Sequence, residues 1–353
     1  MTLTIKFCKF KRAYMNISCI QVFKRNYLTR TVGEMAKKSI HPFKQIHPWR
    51  SEKEFADDLL NNIIYDKDGL VVLNKPYGIP RGKGSSEFNR TNSVSHSVHY
   101  TLEDALPHIR SQLKYPQLTI SKCPEKYISG VTLLAADTDI LNAIDVAYVR
   151  SYHFGNTYWV ITVGVPTIQE NNYRLALKII SDPQYKNRKT ILTRSWTSNE
   201  EKYRRVKIFK ARYEIISNST FNLCSLLKLR ASTENRHAIR LFTSTFLYTP
   251  VLGDNIYSSR IQKLGNTYTN VDPFLSAPGL PNLDEKLLQL LEVHLKQQEI
   301  IPAHIHLQST MLPSLFGEDV FLQAPLPPFF NWTCKQLEFK HLMQNDVPCE
   351  ERI

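Results

Sequence analysis

The chain has 353 residues, 42% of them hydrophobic, including 17 Phe, 17 Tyr and 4 Trp. That is apolar surface enough for a sizeable core, which excludes a wholly disordered polymer, and no run approaches the roughly eighteen consecutive apolar residues of a membrane span. The 45 Lys and Arg against 32 Asp and Glu leave a net charge of +13, a basic excess suited to a polyanionic partner such as nucleic acid.

Much of that charge comes first. Residues 1–33 hold seven basic residues (Lys6, Lys9, Lys11, Arg12, Lys24, Arg25 and Arg30), interleaved with Ile, Phe, Tyr and Leu, and no acid precedes Glu34. An acid-free, amphipathic, basic start reads as a mitochondrial transit peptide, with a basic RNA-contacting arm as the alternative. Residues 34–60 are polar and mixed and read as a linker running into a short helix. Asp68-Gly69, the run Leu70 to Leu73 and the closing Asn74-Lys75-Pro76 spell a buried strand that ends in a turn. Arg81 to His99, rich in Gly, Ser and Asn, reads as a surface loop. Thr101 with Asp104 opens a helix in capping-box fashion, followed by Leu102, Leu106, Ile109 and Leu113 at helical spacing. Pro107 predicts a kink or a later start.

Residues 128–135 read as a turn into a strand, and about 138–150 as a helix with Ile140, Leu141, Ile144 and Ala147 on its apolar face. Tyr158 to Val163 reads as a strand from its aromatic and β-branched content, and two more lie near 209–217 and 221–231, joined at Asn218-Ser219. The Gly-, Pro-, Asn- and Thr-rich stretch 261–282 reads as an insertion. It delivers a helix capped by Asn282, with Glu285 three residues on and Leu287, Leu288, Leu291 and Leu295 along one face, so that the whole insertion covers about 261–300. Short strands alternating with helices, without a regular βαβ rhythm, predict an α+β fold. The division expected is 1–33 transit peptide, 34–60 linker, 61–340 folded domain and 341–353 tail.

Isolated chemical signals are weak. The six cysteines (Cys8, Cys19, Cys123, Cys224, Cys334 and Cys349) contain no C-x-x-C and match neither a disulfide framework nor a zinc set. His304 and His306, two apart, lack a third ligand nearby and read as ordinary core or surface histidines, so no metal is expected. Arg81-Gly82-Lys83-Gly84 lacks the spacing of a phosphate-binding loop, and no histidine stands at a useful spacing from Cys123 to make it a nucleophile. Arg230, Arg236, His237 and Arg240 cluster at a strand-to-helix junction. Arg236 and Arg240, four apart, would share a helix face as an anion-binding pair or as a solvated cationic surface, and spacing leaves both open.

Several motifs in a fixed order carry a resemblance. Asp68 to Pro80 (DGLVVLNKPYGIP) resembles the opening motif of the RluA-type RNA pseudouridine synthases, where a strand ends in Asn-Lys-Pro-x-Gly. Residues 233–257 resemble that family's T-G-R-x-H-Q-I-R-x-H stretch and the P-I-x-G-D-x-x-Y that follows it. Thr233, His237, Ile239 and Arg240 match, then Pro250, Gly253, Asp254 and Tyr257. Tyr158 falls where the family's K-x-Y strand carries its tyrosine, and Ala324-Pro325-Leu326-Pro327 resembles the closing apolar-proline segment. The matches run from residue 61 to about 340. Leu283-Asp284-Glu285 and the segment Pro302 to Leu307 look similar to the mitochondrial mRNA pseudouridine synthase branch. The family's H-R-L-D-x-x-T-S-G falls on KCPEKYISG, anchored by Ser129-Gly130, which places Glu125 at the catalytic Asp, Cys123 at the Arg and Lys122 at the His. Asn235 and Ala238 replace further polar groups.

The resemblance implies a pseudouridine-synthase-like α+β fold with a central, mostly antiparallel sheet, flanking helices and an active cleft across it. It implies isomerisation of uridine to pseudouridine in mitochondrial RNA (mRNA or rRNA), in the matrix, with no cofactor and no metal. The roles it assigns are Glu125 as the acting carboxylate, Tyr158 beneath the base and Arg240 as the carboxylate's partner, with Lys75, Arg236 and His237 contacting RNA. Cys123 and Glu125, in place of Arg and Asp, keep an alternative in view. This is a catalytically inactive RNA-binding protein on the same scaffold, acting in mitochondrial ribosome or transcript assembly beside ribosome assembly factors.

Overall fold

Apolar and β-branched runs recur from Ile63 onward, and in the computed structural model they pair into one sheet. The structure describes residues 40–83, 98–151, 155–182, 187–265, 267–276, 279 and 283–340. The transit-peptide expectation for 1–33, most of the loop after Arg81 and the tail at 341–353 therefore lie outside the described residues. The strands are β1 (Ile63–Lys67), β2 (Leu70–Lys75), β3 (Thr119–Lys122), β4 (Ser129–Ala135), β5 (Asn156–Val163), β6 (Glu170–Ser181) and β7 (Arg188–Thr193). They continue as β8 (Val206–Asn218), β9 (Cys224–Ala231), β10 (Ile261–Leu264), β11 (Thr267–Asn270), β12 (Ile305–Leu315) and β13 (Glu318–Gln323). The helices are α1 (Glu52–Asn61), α2 (Leu102–Leu113), α3 (Thr138–Arg150), α4 (Ser198–Lys202), α5 (Ala238–Thr245), α6 (Glu285–Leu290) and α7 (Pro328–Gln336).

The main sheet runs β1-β2-β4-β12-β5-β9-β8-β6-β7, with β3 added to β4 and β13 to β12. Among the described residues its pairings are antiparallel except that of β12 with β4. The expected α+β class, with a mostly antiparallel central sheet, holds. Two apolar clusters sit on its faces, and β2 feeds both, because successive side chains of a strand point to opposite sides. Leu70 and Val72 join the large cluster with Tyr158, Leu227 and Phe242, whereas Val71 and Leu73 join the smaller one with Phe55, Leu59 and Ile109 of α1 and α2. Every residue of β4 is buried, as a strand covered on both faces must be.

The parallel contact is where the sheet is tightest. Ser129 and Gly130 of β4 lie against His306 and Leu307 of β12, and a Cβ on Gly130, whose φ is +115°, would stand 2.1 Å from the Leu307 carbonyl oxygen. Only glycine fits, which is the physical content of the Ser-Gly pair. Gly130→Ala is expected to cost about 3 kcal/mol of stability, read from urea unfolding, because the obstacle is backbone and cannot swing aside. His304 and His306 flank the same region in the core. His306 contacts the Ser129 hydroxyl at 3.0 Å and His304 the Thr333 hydroxyl at 2.8 Å. Burial lowers both imidazoles to about 4, so they are neutral at neutral pH.

Several expectations need correction. Residues 41–60 are not a linker. Phe43 is wholly buried against His304 and Trp332, and Ser51 caps α1 by accepting from the Glu54 N–H, so the segment packs as part of the unit that starts at His41. α2 has the capping box read from Thr101 and Asp104 but runs straight through Pro107. That proline is exposed, so water can satisfy the Glu103 carbonyl left without its intrahelical partner. The insertion helix is capped by Asp284, whose side chain accepts from the Lys286 N–H, and Asn282 lies outside the described residues. Leu287, Leu288 and Leu291 are buried, whereas Leu295 is 53% exposed beyond the helix end. The strand expected at 221–231 begins at Cys224, because Thr220–Asn222 forms a turn with Phe221 and Asn222 at positive φ.

Candidate active site

The segment between β3 and β4, Cys123 to Ile128, carries the carboxylate of interest and is clamped from below. Lys75, at the end of β2, is fully buried. Its ammonium donates to the carbonyls of Ile79 (3.1 Å), Glu125 (3.3 Å) and Pro76 (3.4 Å). The Gly78 N–H donates to the Lys126 carbonyl at 2.8 Å, and the Ile128 N–H to that of Glu125 at 2.9 Å. The Asn74 amide, one residue earlier, reaches the Pro325 carbonyl at 3.0 Å, tying the opening motif to the closing one. The Asn-Lys-Pro-x-Gly run is thus a bracket for the Glu125 loop. Lys75, expected to contact RNA, is corrected accordingly: its charge faces carbonyls inside the protein rather than solvent, since a buried ammonium must find acceptors.

The Glu125 carboxylate, 11% exposed, meets the turn between β9 and α5. The backbone N–H of His237 donates to Oε1 at 3.1 Å. The imidazole Nδ1 lies 3.0 Å from Oε2 without hydrogen-bond geometry. Arg236 and His237 both take left-handed backbone, at φ +59°. Two successive non-glycine residues there cost of order 1–3 kcal/mol each, a local strain located where the backbone meets the carboxylate. The His237 side chain is buried beside the rings of Tyr127 and Tyr257, whereas Arg236 is exposed. Of the expected RNA-contacting residues, Arg236 alone presents its side chain broadly to solvent.

Arg240 is corrected in its partner. It is 2% exposed on α5, and its guanidinium pairs through Nη2 with Asp254, itself fully buried, not with Glu125. The rings of Tyr127 and Tyr257 flank the cation at 5.4 and 5.6 Å. Burial works against its charge, and the Asp254 carboxylate outweighs that, holding the guanidinium above its ordinary value. Asp254 Oδ1 also accepts from the N–H groups of Ile256 (2.9 Å) and Tyr257 (3.0 Å). Gly253, at φ +83°, lets the chain pass the Pro302 carbonyl, which a Cβ would meet at 2.1 Å. The Gly-Asp-x-x-Tyr motif therefore builds the socket for Arg240.

Tyr158 is also corrected. It has no exposed surface, and its phenol donates to Glu234 Oε2 while receiving the Asn156 amide at 3.3 Å. Asn156 reaches the Tyr148 hydroxyl too and is held by the Thr310 hydroxyl at 3.1 Å. Burial first, then the Glu234 and Tyr148 charges, push the Tyr158 phenol well above 10. Glu234 is a functional group that the motif pattern does not single out. The residue is partly exposed in the turn after β9, but its carboxyl is desolvated, and that burial together with the Glu125 charge raises it despite the Tyr158 hydrogen bond. Beside it, the Lys207 ammonium donates to the Thr233 hydroxyl at 3.1 Å. The only available signal was an acid standing in a motif position where the family has glycine. Cys123 is half-buried, and Lys122 pairs with Asp145 at 2.7 Å. Among the described residues, no group of three His, Cys, Asp or Glu side chains is placed to hold a metal ion, and no helix is long and apolar enough to cross a membrane.

Chemically, the site offers two carboxylates, one anchored by a backbone N–H and one by a phenol, beside a buried arginine and a cluster of tyrosines. The chain has similar proteins among the mitochondrial pseudouridine synthases. It is 27% identical over 306 residues to the human mitochondrial mRNA pseudouridine synthase RPUSD3, covering 84% of this chain and 82% of that protein. It is 26% identical over 318 residues to the mitochondrial pseudouridylate synthase RPUSD4 of Mus musculus, covering 86% and 75%. Among solved structures, human RNA pseudouridylate synthase domain containing 4 superposes with a TM-score of 0.61 at 22% identity, over 81% of this chain and 97% of that one, which shows a shared fold. No protein-family model matches the chain.

Proposed function

We propose that this chain, a homologue of the mitochondrial pseudouridine synthases with their fold, isomerises uridine to pseudouridine in mitochondrial RNA (mRNA or rRNA) within the matrix. The observation that carries the reading is the Glu125 carboxylate, one-tenth exposed and held by the His237 N–H, in the loop where the resemblance expects an acidic group. In this reading the N1–C1′ bond of the target uridine breaks with the help of Glu125, the base turns, and C5 joins C1′. Extruding the nucleotide costs a few kcal/mol of unstacking, and phosphate contacts from exposed cations such as Arg236 offset it. Arg240 acts indirectly, by fixing Tyr127 and Tyr257 around the site, and Lys75 by fixing the Glu125 loop. The catalytic domain runs from His41 to about residue 340, preceded by a transit peptide in 1–33. Ribosome assembly factors are the protein partners that this location makes available.

The test is a map of pseudouridine across mitochondrial RNA from cells with and without the protein. One or a few positions should revert to uridine without it and return when the wild-type chain is restored. An unchanged map, mitochondrial ribosomal and messenger RNA included, would overturn the reading.

A further inference from the structure

The isomerisation has a second half that Glu125 does not serve. Once C5 has joined C1′, C5 still carries its hydrogen, and the aromatic uracil returns only when that hydrogen leaves as a proton. The resemblance places Tyr158 beneath the base, near this carbon, but it is wholly buried and its hydroxyl hydrogen is already committed to Glu234. A neutral phenol with its proton engaged is a poor acceptor. Glu234 is better placed: it is the acceptor of that hydroxyl, and its residue reaches the surface where Tyr158 does not, although the carboxyl itself is desolvated. It also sits three residues from His237, whose N–H holds Glu125, so both carboxylates attach to one short turn.

Resting on the pseudouridine synthase reading above, we propose that Glu234 is the proton acceptor of the reaction, with Tyr158 as the positioning residue that holds its carboxylate. In the step, the C5–H bond breaks and its electron pair restores the C5–C6 double bond. The C6–N1 double bond formed during rejoining gives its pair to N1, which takes a proton from water. The C5 proton goes to Glu234 and from there to solvent, so charge and atoms balance without any oxidant or cofactor. One carboxylate serving the glycosidic carbon while a second moves protons is the division of labour by which paired carboxylates handle sugar–sugar bonds. The surroundings make the carboxylate more basic than an ordinary glutamate. Burial and the Glu125 charge raise the Glu234 carboxyl, while Lys207, facing it from β8, opposes them, and a more basic carboxylate accepts a carbon-bound proton more readily.

The test compares Glu234→Gln and Tyr158→Phe with the wild-type chain in single-turnover assays. The probe is an RNA carrying the uridine identified by mapping, in ordinary and 5-deuterated form. Glu234→Gln keeps an acceptor for the Tyr158 hydroxyl and should bind RNA as tightly as wild type. Its rate should fall about 10²- to 10⁴-fold, and a primary deuterium isotope effect should emerge at C5, which a purely structural role would not produce. Tyr158→Phe leaves the carboxylate in place and should lose about tenfold, the worth of one hydrogen bond. A Glu234→Gln rate within about threefold of wild type, or a loss in Tyr158→Phe equal to or exceeding that in Glu234→Gln, would overturn the proposal while leaving the synthase reading intact. Should Glu234→Gln fail to fold, a tenfold or smaller loss in Tyr158→Phe would still support it and a hundredfold loss would overturn it. An inactive wild type would overturn both readings.

Discussion

Glu125→Gln is expected to reduce pseudouridine formation by on the order of 10³-fold or more while leaving RNA affinity within about twofold. The substitution is conservative in shape. A glutamine Oε1 can still accept the His237 N–H, and the backbone contacts from Lys75 and Ile128 to the residue 125 carbonyl do not involve the side chain, so the loop should hold its place. What disappears is the negative charge and the capacity to bond to, or stabilise, an electron-poor C1′. Interactions felt only in the transition state alter the rate and not ground-state binding. Glu125→Asp separates charge from reach. It retains the carboxylate but withdraws it by about one methylene from the His237 N–H, and a misplacement near 1 Å can cost about 10²-fold. Asp should therefore fall between wild type and Gln, although it is the residue that the family motif carries here. The measurement is single-turnover conversion of a target uridine alongside RNA binding by filter retention. A Gln variant with wild-type rate would remove Glu125 from the chemistry.

How far the residues alone led depends on the range of the interaction concerned. The continuous apolar run Leu70 to Leu73 and the aromatic strand at Tyr158 are legible because a strand covered on both faces leaves a local apolar pattern. Gly130 and Gly253 were legible as motif members, although only the approach of Leu307 and Pro302 explains them. β6 and β7 were not read, because their sequences (ENNYRLALKIIS and RKTILT) carry charge where a sheet face meets solvent, which dilutes the hydrophobic signal. The pairing of charges was the least legible. Arg240 has Asp254 fourteen residues away, and Glu125 has His237 at a separation of 112. Nothing in spacing distinguishes those pairs from the Arg240–Glu125 pairing expected, because the choice is made by the path of α5 past the Gly-Asp turn. Glu234 was missed for a related reason: an acid in a glycine position looks like erosion of a motif until Tyr158 is seen to donate to it.

The socket around Arg240 leads to the largest expected effect on stability. Asp254→Asn preserves an oxygen to accept the Ile256 and Tyr257 N–H groups and removes only the charge. Arg240 is then a cation 2% exposed between two tyrosine rings, with Nε and Nη1 already lacking hydrogen-bond partners among the described residues. Breaking a buried ion pair by neutralising one member typically costs about 3–5 kcal/mol, because the remaining charge is left desolvated without compensation. The half-exposed Lys122–Asp145 pair is the internal control. At 35% and 53% side-chain exposure, water screens it, and Asp145→Asn should change stability by about 1 kcal/mol or less. Urea unfolding of both variants reads the contrast. Adding Arg240→Met to Asp254→Asn should recover part of the loss, since the stranded charge, and not the missing contact, is its main source. If the double variant is no more stable than Asp254→Asn, the stranded charge is not the cause. The cost then lies in the turn that Asp254 builds for Tyr257, and Arg240 holds its place by packing between the two rings.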